Sequence, residues 1–342
     1  MGSYRREKVK MITVLLTAAG GAAIPGLIKH LKSNYGYRVF AADMDCHAIG
    51  LYYADKGFVI PPANSSDFLP TIRYICKQEK VNVFIPLVDE ELVASLELEK
   101  EGIPVLIPRK KFVETCLDKF VLMNELGVAK IAIPDTRLGC DDLKSVDFPA
   151  VVKPRTGRGS RGVGIVHSQI ELEHFLKASS FMPERLIVQS CIDGTEFTVS
   201  VTVWRDGNVQ AVVPKEIICK KGITHLAVTR YNPQIDSLCR DIQERLRADG
   251  PFNVQLCLDK NTGIPLPFEI NPRFSTTVSL TIAAGVDELG GLAEQAARKV
   301  DSKIKNNWRE GVVLLRRTFD EFVNETDLNN RVIINVCNKK VL

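Results

Sequence analysis

The 342-residue sequence has no Cys-x-x-Cys pair, no apolar run long enough to cross a bilayer and little excess charge of either sign. Its nine cysteines occur singly, which argues against a zinc ribbon or a disulfide framework and favours a reducing, cytoplasmic setting. Lysine and arginine total 45 against 41 acidic residues, without a basic stripe. We therefore expect neither nucleic acid nor a membrane as a partner. Residues 1–10 are basic and lack the apolar core of a signal peptide, and whether they are native is left open.

The sequence also lacks a P-loop, G-x-x-x-x-G-K-[S/T], and has no strict G-x-G-x-x-G after its first predicted strand. Gly20, Gly21 and Gly26 follow that strand and lead into a helix, as in an anion-binding turn. Asp43 ends the second predicted strand, where a ribose-binding acid would stand. A dinucleotide site of an oxidoreductase or epimerase, a substrate pocket and a plain tight turn are the alternatives here.

Short apolar runs alternate with helical periodicity over the first hundred residues, which predicts β-α-β units on a parallel sheet. Residues 109–127 read as one helical stretch that contains Asp118 and Lys119. The acids Asp89, Glu90 and Glu91 read as a solvated helix N-terminus. Strands dominate from residue 148, with helices near 169–178 and 234–249, so an α+β block should begin near residue 110.

Two strands near the carboxyl end predict a hairpin with polar side chains. Residues 252–258 and 267–271 flank a turn at 260–263, and Glu269 and Asn271 lie two apart on one face. The hairpin would bring Gln255 beside them, and three oxygen ligands suit magnesium. Arg273 could then grip a phosphate oxygen. The alternative is a polar hairpin end closed by an Asn-Pro turn.

A glycine-rich segment follows Lys153. Gly157, Gly159 and Gly162 match G-x-G-x-x-G, but residues 164–167 read as a strand, whereas a Rossmann loop would open a helix. We therefore predict a hairpin whose backbone N–H groups could cover phosphates, with Lys153 as a point charge. A surface hairpin beside a solvated lysine is the alternative.

The order of these features resembles the ATP-grasp superfamily, and in particular the synthetase domains of the carbamoyl phosphate synthetase large subunit. The resemblance rests on Lys119, Lys153 with its glycines, residues 189–196, Gln255 and residues 269–273. It implies a Rossmann-like pre-ATP-grasp domain at 1–109, an ATP-grasp domain at 110–320 and a tail at 321–342. Within the ATP-grasp domain it implies a lid-bearing part at 110–192 and a large subdomain at 193–320.

The resemblance also implies roles for individual residues. ATP would lie against Lys119, Lys153, Gly159, Ser160, Gln189, Cys191, Glu196, Gly222, Ile223 and Thr224. The family's adenine-flanking positions are Gln189 and Cys191, its ribose contact is Glu196, and Gln189 stands where an acid is commoner. Mg²⁺, or alternatively Mn²⁺, would be held by Gln255, Glu269 and Asn271. Catalytic roles would fall to Arg273 and Lys153.

The implied function is an ADP-forming ligase that phosphorylates a small carboxylate to an acyl phosphate for attack by an amine. The 342 residues hold no second synthetase half, glutamine-hydrolysing domain or biotin domain, so we do not expect a full carbamoyl phosphate synthetase. The rival functions are the oxidoreductase or epimerase and a non-catalytic ATP-binding protein. The carboxylate, the amine, a homodimeric state and any substrate contact of Lys215, Lys221 or His225 stay open.

Overall fold

The computed structural model describes residues 11–159, 161–299 and 303–326. The predictions for residues 1–10, Ser160 and most of the tail fall outside these ranges. The described residues form three sheets in chain order, the first parallel and the other two antiparallel. Within the same ranges every helix is too short or too polar to traverse a bilayer.

The first sheet is parallel, as predicted. It consists of β1 (Thr13–Leu16), β2 (Arg38–Asp43), β3 (Lys56–Val59) and β4 (Val83–Ile85) in the order β3-β2-β1-β4. Helices α1 (Ile24–Tyr35), α2 (Gly50–Tyr53) and α3 (Phe68–Gln78) connect its strands. Pro25 stands in the first turn of α1, and Gly36 ends that helix in the left-handed region at φ 62°. The buried residues of α1 recur at helical spacing and face the sheet: Ile24, Leu27, Ile28 and Leu31.

The predicted single helix at 109–127 is two helices. After α4 (Leu92–Ser95), α5 covers Lys110–Leu117 and α6 covers Lys119–Val128. Asp118 has extended dihedrals, and its carboxylate accepts the backbone N–H groups of Phe120 and Val121. Because an aspartate in this role caps a new helix, the chain bends at Asp118 and places Lys119 in the first turn of α6 rather than inside a helix.

The second sheet bears the glycine-rich hairpin. Its strands are β5 (Thr136–Leu138), β6 (Ala150–Pro154), β7 (Gly164–Val166) and β8 (Leu186–Ser190), in the order β5-β8-β6-β7. Helix α7 (Gln169–Ala178) lies between β7 and β8. The antiparallel pairing of β6 with β7 confirms a hairpin instead of a Rossmann strand–helix turn. The sequence reading had not found β5, a short strand on the edge of this sheet.

The third sheet is the largest of the three and contains the strands predicted to carry the metal ligands. Its strands are β9 (Gly194–Val203), β10 (Val209–Lys221), β11 (Ile223–Thr229), β12 (Phe252–Asp259), β13 (Pro265–Asn271) and β14 (Val313–Leu315), in the order β13-β12-β9-β10-β11-β14. The predicted hairpin of β12 and β13 is confirmed. Residues 222–224 form the tip of the β10–β11 hairpin, where Gly222 has φ 70°.

Helix α8 (Pro233–Leu246) packs on the third sheet, while α9 (Val278–Ala284) and α10 (Glu288–Arg298) join that sheet to the first one. Leu289, Leu292 and Ala293 of α10 share one buried cluster with β1 and α1. Asp287, just before α10, accepts hydrogen bonds from Tyr35 and pairs with His30. This shared core holds the first sheet next to the third sheet.

Candidate active site

The β12–β13 hairpin places four polar side chains on one face. Gln255 lies directly opposite Glu269, and Asn253 lies opposite Asn271. Directly opposed residues of antiparallel strands project to the same side, so the predicted oxygen ligands are neighbours. The Asn271 side-chain amide donates to Asn253 Oδ1 at 3.2 Å, which leaves Asn271 Oδ1 to accept from Arg273 Nη2 at 3.3 Å.

Each of the three predicted metal ligands faces a cation. Glu269 Oε1 lies 3.2 Å from Lys119 Nζ, Gln255 Oε1 lies 3.5 Å from Lys220 Nζ, and Asn271 Oδ1 meets Arg273. These three side-chain oxygens lie on one face of the β12–β13 hairpin and form the kind of donor set that a hard cation prefers. The residues present therefore fit Mg²⁺ or Mn²⁺.

Lys153 is a buried cation in this site. It is the penultimate residue of β6 and is 7% exposed, and its Nζ donates to Gln189 Oε1 at 2.8 Å and to the Phe268 carbonyl at 3.3 Å. Burial lowers the pKa of Lys153 to about 8, helped by the nearby charges of Lys119 and Lys220 and opposed by Glu269. Lys153 is thus held in place for an anionic ligand by neutral oxygens, with Glu269 as the nearby negative charge.

Both polar atoms of the Gln189 side chain are hydrogen-bonded within the protein. It is 3% exposed, accepts from Lys153 and donates through Nε2 to Thr136 Oγ1 at 2.8 Å. An acid at this position would form a buried ion pair with Lys153 and raise its pKa, whereas the amide leaves Glu269 as the nearby negative charge. In this arrangement the side chain of Gln189 positions Lys153.

Lys119 joins the glycine-rich hairpin to the metal-ligand face. Its Nζ donates to the Gly157 carbonyl at 2.8 Å and pairs with Glu269. Gly157 and Gly159 have φ of 115° and 70°, in the left-handed region that disfavours other residues. A Cβ at either glycine would meet no neighbour within 4 Å, so their backbone is open to a ligand on that side.

The acids after β4 begin a helical stretch, as predicted, and Glu90 is exposed, but Asp89 and Glu91 are not solvated, so that part of the prediction is wrong. Glu91 is 2% exposed and accepts from Thr17 and from the backbone N–H groups of Leu87 and Val88. Asp89 pairs with Arg273 Nε at 2.5 Å, and the exposed Glu90 pairs with Arg158 Nε at 2.8 Å. All three acids lie in a short 3₁₀ turn at 89–91 that directly precedes α4.

The structure brings together every predicted site residue that lies in the described ranges. They line one cavity of about 550 Å³, and Ser160 lies outside those ranges. The predicted residues on its wall are Lys119, Lys153, Gly159, Gln189, Cys191, Glu196, Gly222, Ile223, Thr224, Gln255, Glu269, Asn271 and Arg273. Glu196 is half-buried and pairs with Lys220 Nζ at 2.7 Å.

Sequence reasoning missed Lys220, which contacts both Glu196 and Gln255. The available signal was its place two residues before Gly222, a position already selected by the resemblance. Lys215, named as a possible substrate contact, is fully buried, and its Nζ donates to Ser200 and Thr281. The neighbouring Lys221 is exposed and His225 is half-buried.

Two family models match separate segments of the sequence. The PylC-like N-terminal domain matches residues 14–106, and the family described as ATP-grasp in the biosynthetic pathway with Ter operon matches residues 182–316. The chain has an ATP-grasp fold after a PylC-like N-terminal domain. The resemblance noted in the sequence and the predicted order, a Rossmann-like domain followed by an ATP-grasp fold, are both confirmed. Lys119, Lys153 and the glycine-rich hairpin precede the matched ATP-grasp segment.

Curated relatives of this chain include a ligase and a synthase. D-alanine–D-alanine ligase of Pediococcus pentosaceus is 33% identical over 30% of the chain and 28% of the relative. The carbamoyl phosphate synthase large chain of Thermus thermophilus is 25% identical over 63% of the chain and 22% of the relative. The matches therefore span less than a third of either relative.

Solved structures share the fold of the ATP-grasp chain over most of its length. Biotin carboxylase of Campylobacter jejuni, crystallised with β,γ-ATP, superposes with a TM-score of 0.71 at 16% identity, covering 87% of this chain and 74% of the other. N5-carboxyaminoimidazole ribonucleotide synthetase of Thermotoga maritima gives 0.67 at 19% identity, covering 87% and 78%. Identities this low establish the fold alone.

Proposed function

We propose that this ATP-grasp chain is an ADP-forming carboxylate–amine ligase. The observation that supports the proposal is the convergence of two lysines, Arg273 and three oxygen ligands on one cavity covered by a glycine-rich hairpin. Phosphoryl transfer needs positioning and positive charge around the phosphates, and this wall supplies both without a side-chain nucleophile. The relative named as a ligase agrees with this class of reaction.

In the proposed reaction a substrate carboxylate oxygen attacks the γ-phosphorus of ATP. The bond between that phosphorus and the β,γ-bridging oxygen breaks, ADP leaves, and an acyl phosphate remains. An amine then attacks the acyl carbon, releases inorganic phosphate and loses a proton, which completes the amide. Both steps develop negative charge on phosphoryl oxygens, so fixed cations beside them lower the barrier.

Individual residues have distinct proposed tasks. Lys119 and Lys153 hold the ATP phosphates, and Arg273, oriented by Asp89, contacts the transferring phosphoryl group. Mg²⁺ or Mn²⁺, held by Gln255, Glu269 and Asn271, supplies positive charge that neutralises phosphate oxygens when bound. The backbone of Gly157 and Gly159 covers the phosphates from the hairpin side. Cys191, Glu196 and the 222–224 hairpin tip line the remaining, nucleoside part of the cavity.

The proposal is tested by incubating the protein with ATP, Mg²⁺ and pools of small carboxylates and amines, and by measuring nucleotide products. Substrate-dependent ADP supports an acyl phosphate, whereas AMP would indicate adenylation and contradict it. Nucleotide binding without turnover on any pool would favour the non-catalytic alternative. A thermal-shift comparison of NAD with ATP plus Mg²⁺ tests the oxidoreductase alternative, and light scattering tests whether the protein is a homodimer.

A further inference from the structure

The cavity of about 550 Å³ that holds the predicted site residues is called the nucleotide cavity, and a second cavity of about 380 Å³ lies beside it. Its walls come from the glycine turn after β1, the start of α1, the ends of β2 and β3, and the segment that follows β13. The two cavities share five lining residues: Arg158, Ile223, Arg273, Ser275 and Thr276. A molecule bound in the second cavity can therefore present one end to the nucleotide phosphates, and we call this space the acceptor cavity.

The acceptor cavity has a largely apolar wall. Its apolar side chains include Ile24, Leu27, Ile60, Phe68, Phe274 and Val278, all of them buried. A small hydrophilic carboxylate would leave this wall in contact with water. A ligand with an apolar body would instead cover it, and each buried methylene favours binding by about fourfold.

Two of the three arginines of the acceptor cavity already have acidic partners. Arg158 pairs with Glu90, and Arg273 pairs with Asp89. Arg316 is half-buried and donates to the carbonyls of Thr224 and Thr276, each at 2.7 Å, and no acid pairs with it among the described residues. Thr276 lines both cavities, so Arg316 is an uncompensated cation at their shared wall. A guanidinium there suits a carboxylate.

The acceptor cavity also has an acid without a cationic partner in the described ranges. Asp43 accepts only backbone N–H groups, from Gly20 at 2.9 Å and Asp45 at 3.0 Å. Glu91, the other acid on the wall, accepts three donors through Oε1 inside the protein. The free charges of the cavity are therefore one cation, Arg316, and one anion, Asp43, which complement a zwitterion.

We propose that the acceptor cavity binds an α-amino acid with an apolar side chain, whose carboxylate lies on Arg316 and whose ammonium group lies on Asp43. This inference rests on the proposed ligase function, because the bound carboxylate would be the one phosphorylated by ATP. Its oxygen would attack the γ-phosphorus with departure of ADP, as above. The apolar side chain would lie on the wall formed by α1, Phe68 and Phe274.

Calorimetric titration of the full chain tests this assignment, with and without a non-hydrolysable ATP analogue and Mg²⁺. Leucine and phenylalanine should bind at least about fiftyfold more tightly than glycine, since they bury several more carbons. 4-Methylpentanoate, which is leucine without its amino group, should bind at least about tenfold more weakly than leucine. Equal binding of glycine or aspartate, or no amino-acid binding while the nucleotide analogue binds, would overturn the inference.

Variants separate the parts of the inference. Ala22 is exposed on the cavity wall, so Ala22→Leu should fill the space and weaken leucine binding, while Ala178→Leu on the exposed face of α7 is the matched control. Arg316→Met should abolish leucine binding but not that of the nucleotide analogue, and Arg317→Met alters an exposed neighbour. Unchanged leucine affinity in both Ala22→Leu and Arg316→Met would reject the assigned cavity.

The two proposals can fail separately. Nucleotide binding and ADP formation measure the ligase function, whereas amino-acid affinity is measured directly and requires no turnover. ADP formation driven only by hydrophilic carboxylates would retain the ligase and reject the apolar amino acid. Leucine binding at Arg316 without any nucleotide binding would retain the acceptor cavity and reject the ligase.

Discussion

The two adjoining cavities differ in the way they are built. The nucleotide cavity is walled by cations and oxygens that contact one another, such as Lys119 with Glu269 and Lys153 with Gln189. The acceptor cavity is walled mainly by apolar residues from the first sheet and from the segment after β13, with Arg316 and Asp43 as its free charges. Under the proposed function, charge would define the reacting end of the site, while shape and apolar surface would select the substrate.

The largest expected effect comes from removing the carboxylate of Glu269 from the nucleotide cavity. Glu269→Ala deletes a proposed metal ligand and the acidic partner of Lys119. We expect substrate-dependent ADP release to fall by at least about 10²-fold, the scale seen when one preorganised charge-stabilising group is lost. Steady-state ADP release measures this loss, and circular dichroism should show an unchanged fold.

Glu244→Ala is the matched control for Glu269→Ala. Glu244 is an exposed acid on α8, so its removal changes net charge equally without touching either cavity. Undiminished ADP release in Glu269→Ala would contradict both the metal site and the ligase proposal.

Two buried lysines, Lys153 and Lys215, allow a cavity position to be compared with a core position, because burial lowers the pKa of each to about 8. Lys153 faces the nucleotide cavity, whereas Lys215 lies in the core with Ser200 and Thr281. Lys153→Met should weaken ATP binding by about 10 to 100-fold, with little loss of stability, since it removes a charge–phosphate hydrogen bond and a desolvated charge. Calorimetric titration with ATP measures the first effect and urea unfolding the second.

Lys215→Met should produce the opposite result. It leaves the buried Glu288 without the cation that Ser200 bridges to it, and the free energy of unfolding should fall by about 3 kcal/mol with ATP affinity unchanged. Loss of ATP affinity in Lys215→Met, with stability retained, would place that lysine in the site and contradict its assignment to the core.

Short, local patterns were readable from the sequence because each sets its own geometry. The alternation at Glu269 and Asn271 puts both on one strand face, and the turn before β13 brings Gln255 opposite. The strand pattern at Gly164–Val166 distinguished a hairpin from a Rossmann loop. These features depend on side-chain alternation and turn chemistry within about twenty residues, so no long-range information was needed.

Features that depend on distant contacts were not readable. Asp89, Glu90 and Glu91 carry no sign in the sequence that their partners are Arg273, Arg158 and the strand end after β4. Arg316 directly follows β14, a short edge strand that joins the third sheet only through β11. The acceptor cavity arises where the first sheet meets the third, and only tertiary packing establishes that junction.

A change in pH should affect the nucleotide cavity through Lys153. Its pKa of about 8 in the folded protein lies below the ordinary lysine value of 10.5, so between these pH values the folded state binds fewer protons than the unfolded state. The stability penalty for burying this charge is present below pH 8 and is relieved as pH rises through that value. ATP prefers charged Lys153, so its affinity should fall above about pH 8.

The affinity decrease approaches tenfold per pH unit, and calorimetric titration from pH 7 to 10 measures it. Lys153→Met should have a flatter profile over the same range, because the titrating group is gone. An equally steep fall in Lys153→Met would assign the pH dependence to another group.

The smallest expected effect concerns the contact between Arg158 on the glycine-rich hairpin and Glu90 beside the acceptor cavity. Their side chains are 37% and 48% exposed, so water screens the pair and its coupling should be only about 0.2–1 kcal/mol. A double-mutant cycle of Arg158→Gln and Glu90→Gln, read out as the KM for ATP, should therefore give less than about fivefold coupling. A much larger coupling would mean that the hairpin closes on the first sheet during turnover. The two cavities would then form a single enclosed space in the reacting state, and the separation drawn between them would hold only for the state described here.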